Sequence, residues 1–338
     1  MTAGRCVALV SERVRDELKI LQPDIAETVD LVVSRPDLVL DAADLSRIRV
    51  AFMSLDLIAS STTRKLEPAL KNFFEQLGAA PHLEWLHLAS AGADRPAVKE
   101  LQSRGVRLTT SSGASAMTVS HSALAGFLAL ARGVPHWIDA QRRHEWAPLQ
   151  GASSPRDIEG QKAVVVGLGP IGCEIARLLA CLGVDVTGIR YTPQPVPGCS
   201  AVLSYGELDT VLPQADWLIL ACPITNETRG LIDGRRLRLL PRGARLINIS
   251  RGAVVVEREL LDALRSGHLA GAYLDVFEEE PLPASSPMWD APNTLISAHS
   301  SAQSSGLHGR TLDMFRANLA QWVTGGPLRN EVAGVRRA

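Results

Sequence analysis

Three short segments in the second half of the chain carry side chains that can bind an anion and move a proton. They are NISRG, which contains Arg251, DVFEEEPLP, which contains Glu280, and ISAHSS, which contains His299. An arginine keeps its charge, so Arg251 can hold a carboxylate and polarise a carbonyl group beside it. A histidine can donate a proton to that carbonyl oxygen and accept it back, and a glutamate bonded to the ring favours the protonated form.

Each of these residues also has an ordinary interpretation. One histidine among eight is most often structural or superficial, a single arginine is often a surface residue, and the run EEE is usually solvated. Their joint occurrence favours catalysis, because each segment follows a predicted strand. The carboxyl ends of parallel strands form the edge where open α/β sheets bind ligands. We therefore expect the arginine, the glutamate and the histidine to meet in one cleft.

A glycine-rich turn, GLGPIG, lies upstream of these segments and contains Gly167, Gly169 and Gly172. The spacing alone is a weak signal, and a turn without a ligand is the alternative. The buried run KAVVV before it and the amphipathic segment CEIARLLACLG after it favour a dinucleotide site, where the helix N-terminus faces a pyrophosphate. Pro170 fits the first helical turn, where its missing N–H group has no intrahelical partner.

The next predicted strand, GVDVTGI, is followed by Arg190, at the place where dinucleotide sites usually carry an acidic residue. An acid there binds the adenosine ribose 2′-hydroxyl and repels a 2′-phosphate, whereas an arginine attracts the phosphate. Thr192 could add a hydroxyl contact. The charge favours NADP over NAD as the cofactor. Stacking on adenine and a solvated surface position are the alternatives for Arg190.

Short apolar runs alternate with amphipathic segments along the chain, which predicts parallel α/β layers. The strand candidates are CVALV, DLVV, IRVAFM, LEWLHLA and GVRLTT, and later KAVVV, WLILAC, ARLINIS, GAYLDVF and NTLISAH. Between the two series, residues 117–133 predict a long helix with Gly133 as its C-cap, and EWAPLQGASSPRDIEGQ reads as a connector. The final helix, RTLDMFRANLAQWVTG, directly follows the last strand, which allows it to return to the first domain.

Bulk composition narrows the class of protein. The 338 residues suit two domains, and 46% hydrophobic with 21% charged residues allow a sizeable core. A net charge of −1 argues against nucleic acid or a membrane surface as a partner. The five cysteines form no CxxC pair and no metal-ligand spacing, so we expect reduced thiols and no metal. Without a signal peptide or membrane span, the expected location is the cytoplasm.

From about residue 85 to residue 331 the chain resembles the D-isomer-specific 2-hydroxyacid dehydrogenases. The resemblance is carried by LHLASAGAD, VVVGLGPIGCEIARLL, LILACPITNETRGLID, INISRGAVVVEREL, GAYLDVFEEEPLP and MFRANLAQWVTGGPLRNEV. It implies two Rossmann-like or flavodoxin-like α/β domains with parallel sheets, the coenzyme domain being inserted into the substrate domain. We expect residues 1–111 and 297–338 to form the substrate domain and residues 112–296 the NAD(P)-binding domain. The resemblance also implies a homodimer joined through the coenzyme domains.

The resemblance assigns roles residue by residue. Arg251 becomes the substrate-orienting arginine, Glu280 the partner carboxylate and His299 the acid/base. Backbone amides at Ala91 and Gly92 would hold the substrate carboxylate. Asp275 would meet the nicotinamide carboxamide. The remaining cofactor contacts that it implies are Ile171, Cys222, Pro223, Thr228, Ile249 and Ser301.

The chain departs from the family pattern at several places. Its first 80 residues match poorly, Ser120 and His121 replace the usual Ala-Glu pair, and Ala298 replaces the usual proline before the histidine. Trp146 resembles an aromatic residue that some relatives direct toward the partner subunit. Glu280 argues against a formate dehydrogenase, which carries glutamine there.

The function that this pattern favours is reduction of a small 2-keto acid, such as glyoxylate or hydroxypyruvate, to the D-2-hydroxy acid. NADPH is the favoured cofactor and NADH the alternative. A non-catalytic, corepressor-like protein that senses the dinucleotide is the main rival. A paralogue whose altered SAHSS segment misplaces the histidine is another.

Overall fold

The structure, a computed structural model, describes residues 5–21, 28–62 and 65–332. The chain forms two compact units, one of residues 1–114 with 304–338 and one of residues 115–303. The first unit is therefore made of two segments, one before and one after the second unit in the sequence. The expected domain boundaries were 111/112 and 296/297. The assignment of the units to substrate and coenzyme remains a prediction.

Each unit is built on a parallel sheet, which confirms the predicted fold class. The first sheet has the order β2-β1-β3-β4-β5, and the second has the order β12-β11-β10-β9-β6-β7-β8. The strands are β1 Cys6–Ser11, β2 Val29–Ser34, β3 Ile48–Met53, β4 Trp85–Leu88, β5 Arg107–Thr110, β6 Lys162–Val166, β7 Asp185–Ile189, β8 Ala201–Leu203, β9 Trp217–Leu220, β10 Ala244–Asn248, β11 Leu269–Leu274 and β12 Thr294–Ile296.

Helices connect these strands. They are α1 Glu12–Leu21, α2 Ala42–Arg47, α3 Leu55–Ile58, α4 Pro68–Ala79, α5 Pro96–Ser103, α6 Ala116–Arg132, α7 Val134–Arg142, α8 Pro170–Cys181, α9 Leu208–Val211, α10 Gly234–Leu239, α11 Glu257–Arg265 and α12 Leu307–Thr324. Short 3₁₀ turns lie at Gly151–Ser153, Tyr205–Glu207, Leu212–Gln214, Gly252–Val254 and Pro287–Asp290. Among the described residues, no helix is long and apolar enough to cross a membrane.

The last helix, α12, packs against the first sheet. Its Leu312, Phe315 and Leu319 share a buried cluster with Phe52 and Trp85. The Phe315 and Phe52 rings stack with their centroids 4.5 Å apart. Burial of several apolar side chains, each worth roughly 1.5–3 kcal/mol, explains why the chain end returns to the first unit.

The second unit carries the predicted signals in their expected places. The long helix α6 ends at Gly133, whose left-handed φ of 78° suits a C-cap glycine. The strand predicted from GAYLDVF ends earlier than expected, since the last residue of β11 is Leu274. Directly after β11, the Asp275 carbonyl accepts a hydrogen bond from the His299 amide at 2.7 Å. At this point the chain has left the sheet, and its backbone binds the loop that carries His299.

Candidate active site

The glycine turn brings backbone segments into close contact. Gly167 has φ of 94°, and a Cβ there would lie 2.5 Å from the Cα of Cys222. A Cβ on Gly172 would lie 1.8 Å from the carbonyl oxygen of Gly167. A Cβ on Gly169, the N-cap of α8, would meet nothing within 4 Å. Open space therefore faces the start of a helix whose first N–H groups lack intrahelical partners, which suits a pyrophosphate.

Arg190 directly follows β7 and is half-buried. Its amide donates to the Leu203 carbonyl at 3.0 Å, which fixes its backbone against the end of β8. Its guanidinium lies 3.0 and 3.2 Å from the side-chain oxygen of Gln194 once that amide faces it. Burial raises the pKa of the Cys173 thiol in the first turn of α8, and the Arg190 charge opposes that rise. The Arg190 charge therefore acts on the first turn of α8, while Thr192 is exposed.

The loop after β9 is held by its own hydroxyl groups. The Thr228 hydroxyl donates to the Pro223 carbonyl at 2.7 Å and accepts from the Thr225 amide at 2.8 Å. Cys222 is buried, and burial raises the pKa of its thiol to about 11, so it stays neutral. Thr228 thus shapes this loop, and its cofactor contact remains a prediction.

Two isoleucines were also expected to contact the cofactor. Ile249 directly follows β10 and is buried in the core. Ile171 is half-buried, and its carbonyl accepts from the Ser120 hydroxyl at 3.1 Å. Ser120, a departure from the family pattern, therefore joins α6 to the first turn of α8.

The loop that carries Arg251 is pressed against the loop that carries Glu280. The Asn248 side chain accepts from the Ser250 hydroxyl at 2.7 Å and donates to the Arg251 carbonyl at 3.1 Å. A Cβ on Gly252 would lie 1.9 Å from the carbonyl carbon of Phe277. Glycine is therefore required here, and this approach brings the Arg251 charge close enough to lower the pKa of Glu280.

Glu280 and His299 form a direct pair, as the sequence predicted. The His299 Nδ1 lies 2.8 Å from Oε2 of Glu280, whose Oε1 accepts from the Phe277 amide at 3.1 Å. Burial raises the pKa of Glu280, but the bonds from His299 and Phe277 and the charge of Arg251 outweigh it, so the pKa is lowered. Glu280 is thus an anion at neutral pH that orients the imidazole. The His299 side chain is 45% exposed, so its Nε2 can reach a ligand.

The backbone at the histidine is strained. Ala298 has φ of 22° and His299 has φ of 52°, both in the left-handed region. Such conformations cost about 1–3 kcal/mol each and persist only where surrounding bonds enforce them. A proline fixes φ near −65° and could not occupy position 298 in this loop. The backbone can follow this path because an alanine, and not the usual proline, precedes His299.

Asp275 holds that loop with its carboxylate. It is 1% exposed. Its Oδ1 accepts from the Ser297 hydroxyl at 2.7 Å and from the amides of Ser300 and Ser301 at 2.9 and 3.0 Å. Its Oδ2 accepts from the Ser301 hydroxyl. The expected contacts of Asp275 and Ser301 with the cofactor remain predictions.

Sequence reasoning missed the supporting residues Ser297 and Tyr273. The serine-rich run ISAHSSAQSS was the available signal, since a buried carboxylate needs several donors.

In the first unit, Ala91 and Gly92 lie in the loop after β4, where the Ser90 hydroxyl donates to the Gly92 carbonyl at 2.7 Å. Their role toward a substrate also remains a prediction.

Comparison with known proteins gives concordant matches. Residues 124–301 match the family model for the D-isomer specific 2-hydroxyacid dehydrogenase, NAD binding domain. Glyoxylate reductase of Korarchaeum cryptofilum (strain OPF8) is 31% identical over 258 residues, covering 74% of this chain and 76% of that protein. D-3-phosphoglycerate dehydrogenase of Mycobacterium leprae (strain TN) is 32% identical over 86% of this chain, which spans only 53% of that longer protein.

A solved structure agrees with the fold. The NADPH-dependent glyoxylate/hydroxypyruvate reductase of Sinorhizobium meliloti, in complex with NADP and sulfate, matches with a TM-score of 0.78 and 25% identity. The match covers 98% of this chain and 99% of that one. The family model matches more than half of the chain, and the Korarchaeum cryptofilum reductase is more than 30% identical over more than two thirds of both chains. The chain belongs to the D-isomer specific 2-hydroxyacid dehydrogenase family of NAD(P)-dependent oxidoreductases.

Proposed function

We propose that this protein reduces a small 2-keto acid, of the size of glyoxylate or hydroxypyruvate, to the D-2-hydroxy acid, with NADPH as the preferred cofactor. The observation that carries the proposal is the bond of 2.8 Å between His299 and Glu280, beside the charge of Arg251. The glyoxylate reductase from Korarchaeum cryptofilum and the reductase from Sinorhizobium meliloti support the substrate class.

The reduced nicotinamide supplies a hydride to the carbonyl carbon when the cofactor is bound. Arg251 binds the substrate carboxylate and polarises the carbonyl group through its permanent charge. His299 donates the proton from Nε2 to the carbonyl oxygen, so that hydride and proton together convert the carbonyl group to an alcohol. Glu280 holds Nδ1 and stabilises the protonated ring before the transfer. In the oxidative direction, Nε2 accepts the hydroxyl proton.

The cofactor preference rests on Arg190. Arg190 directly follows β7, which pairs with the strand that precedes the glycine turn, and its guanidinium lies within hydrogen-bond distance of the Gln194 side-chain oxygen. A planar guanidinium can donate two parallel bonds to a phosphate, whereas it gains little from a ribose hydroxyl. The NADP-bound reductase from Sinorhizobium meliloti is in accord with this preference.

The test is steady-state absorbance at 340 nm with NADPH and NADH against glyoxylate, hydroxypyruvate, pyruvate and an aromatic 2-keto acid. We expect the highest kcat/KM for a small acid with NADPH. A higher kcat/KM with NADH would refute the assignment of Arg190. Tight binding of NADPH without turnover of any acid would refute the reductase function and favour a dinucleotide-sensing protein.

We also infer that the protein is a homodimer formed through the second unit. That unit exposes Trp137 and Ile138 on α7, with 47% and 37% of their surface accessible, and Trp146 with 97% accessible. Exposed aromatic side chains of this size are typical of protein interfaces. Light scattering of the wild type and of Trp137→Glu should give a dimer and a monomer. A monomeric wild type would refute this inference.

A further inference from the structure

We propose that Tyr273, Ser297 and Asp275 form a buried polar relay that positions His299 for proton transfer. This inference rests on the proposed reductase function. The relay residues are positioning residues, because they act on the substrate only through the histidine.

The first observation is that the carboxylate of Asp275 binds the loop through four donors. It accepts from two serine hydroxyls, those of Ser297 and Ser301, and from two amides, those of Ser300 and Ser301. Three of these donors reach Oδ1 and one reaches Oδ2. Asp275 is 1% exposed, so a buried carboxylate at the end of β11 binds the chain both before and after His299.

The second observation is the strain at the residues that these bonds enclose. Ala298 and His299 adopt positive φ between Ser297 on one side and Ser300 on the other. The Asp275 carbonyl also accepts from the His299 amide at 2.7 Å. Bonds on both sides of the strained pair leave the backbone no relaxed alternative, which is the condition for strain to persist. The loop thereby directs Nδ1 of His299 to Glu280.

The third observation extends the relay to a helix. The Ser297 hydroxyl has one proton, and it donates that proton to Asp275. At the Tyr273–Ser297 contact of 2.8 Å, the tyrosine must therefore be the donor. Burial raises the pKa of Tyr273, which keeps the phenol protonated for this role. A Cβ on Gly126 would lie 2.4 Å from the Tyr273 ring, so α6 packs directly on the phenol and fixes it.

The experiment compares Ser297→Ala and Tyr273→Phe with the wild type. Ser297→Thr keeps the hydroxyl and serves as the rescue variant. Thr294→Ala serves as the control, because its hydroxyl lies on β12, the strand that leads into this loop, but donates only to the Pro292 carbonyl at 3.1 Å. Three quantities are measured: hydrogen exchange of the Ser300 and Ser301 amides, ¹⁵N signals of the His299 ring, and kinetic constants together with the Kd for NADPH.

We expect faster amide exchange and a less ordered His299 ring in Ser297→Ala and Tyr273→Phe. We also expect kcat to fall by roughly ten- to a hundredfold, since small misplacement of a catalytic group has effects of this order. The Kd for NADPH should stay at the wild-type value. Ser297→Thr should restore each quantity, and Thr294→Ala should change none.

Three outcomes would overturn the relay. The first is unchanged hydrogen exchange of the Ser300 and Ser301 amides in Ser297→Ala. The second is faster exchange of these amides with an unchanged kcat. The third is a raised Kd for NADPH while amide exchange and the His299 ring signals stay at their wild-type values. Failure of the proposed function is separate, because the wild type would then turn over no acid. In that case the exchange and ring signals still decide whether the relay holds His299.

Discussion

A buried histidine outside the candidate site makes the stability of the first unit depend on pH. His87 lies on β4 with 0% of its surface exposed, and burial lowers its pKa to about 3. Its Nδ1 lies 2.7 Å from the Thr109 hydroxyl and its Nε2 lies 3.1 Å from the Ser111 hydroxyl. A neutral imidazole satisfies both contacts by donating through one nitrogen and accepting through the other.

The direction of the pH effect follows from the two states of this ring. In the unfolded chain, a histidine has a pKa near 6.5 and takes up a proton well before the folded ring does. Stability is therefore fully present above about pH 6.5 and is lost as the pH falls toward 3. Each unit of pH costs roughly 1.4 kcal/mol in this window, which amounts to about 2 kcal/mol at pH 5 relative to pH 8.

The perturbation is His87→Gln, which removes the titration and keeps one donor and one acceptor. The assay is native-state hydrogen exchange of the amides in β1 and β4, measured from pH 8 to pH 5 and corrected for intrinsic rates. These strands belong to the first unit, so the unfolding free energy of that unit is read separately from that of the second.

We expect the variant to be less stable than the wild type at pH 8 and to lose about 2 kcal/mol less on moving to pH 5. His82→Gln is the matched control, because it removes an exposed histidine from the same unit. Equal loss of stability in wild type and His87→Gln would refute the argument that a neutral buried ring causes the dependence.

Three further predictions concern the candidate site. Replacement of Arg190 by Asp should lower the ratio of kcat/KM for NADPH over NADH by roughly a hundredfold, and an unchanged ratio would contradict the 2′-phosphate assignment. His299→Ala should lower kcat by roughly 10²–10⁴ while the Kd for NADPH, measured by fluorescence, stays constant. Activity at the wild-type level would exclude His299 as the acid. Ala298→Pro should lower kcat and speed amide exchange at Ser300, because proline cannot adopt φ of 22°; a fully active variant would show that the loop tolerates another path.

Local sequence signals were enough to predict much of the second unit. The continuous apolar run KAVVV forms the buried strand β6, and Gly133 ends α6 in the left-handed conformation that favours glycine. The glycine turn was also predictable from its local pattern, and the close contact of Gly172 with the Gly167 carbonyl arises within that short segment, whereas the contact of Gly167 is with the distant Cys222 backbone. The pairing of Glu280 with His299 followed from a general rule, since both residues come after neighbouring parallel strands.

Contacts between segments distant in the chain could not be predicted in this way. Gly252 resembles any loop glycine until the Phe277 backbone is seen against it, and nothing in the sequence shows that the Ser297 hydroxyl bonds Asp275. The reason is physical: backbone propensity and hydrophobic period act over a few residues, whereas a buried polar group chooses partners among whatever the fold brings within about 3 Å. The sequence by itself determined the two α/β units, the glycine turn and the three residue types of the site. Only the tertiary structure decided that Asp275, Ser297 and Tyr273 converge on the strained loop of His299.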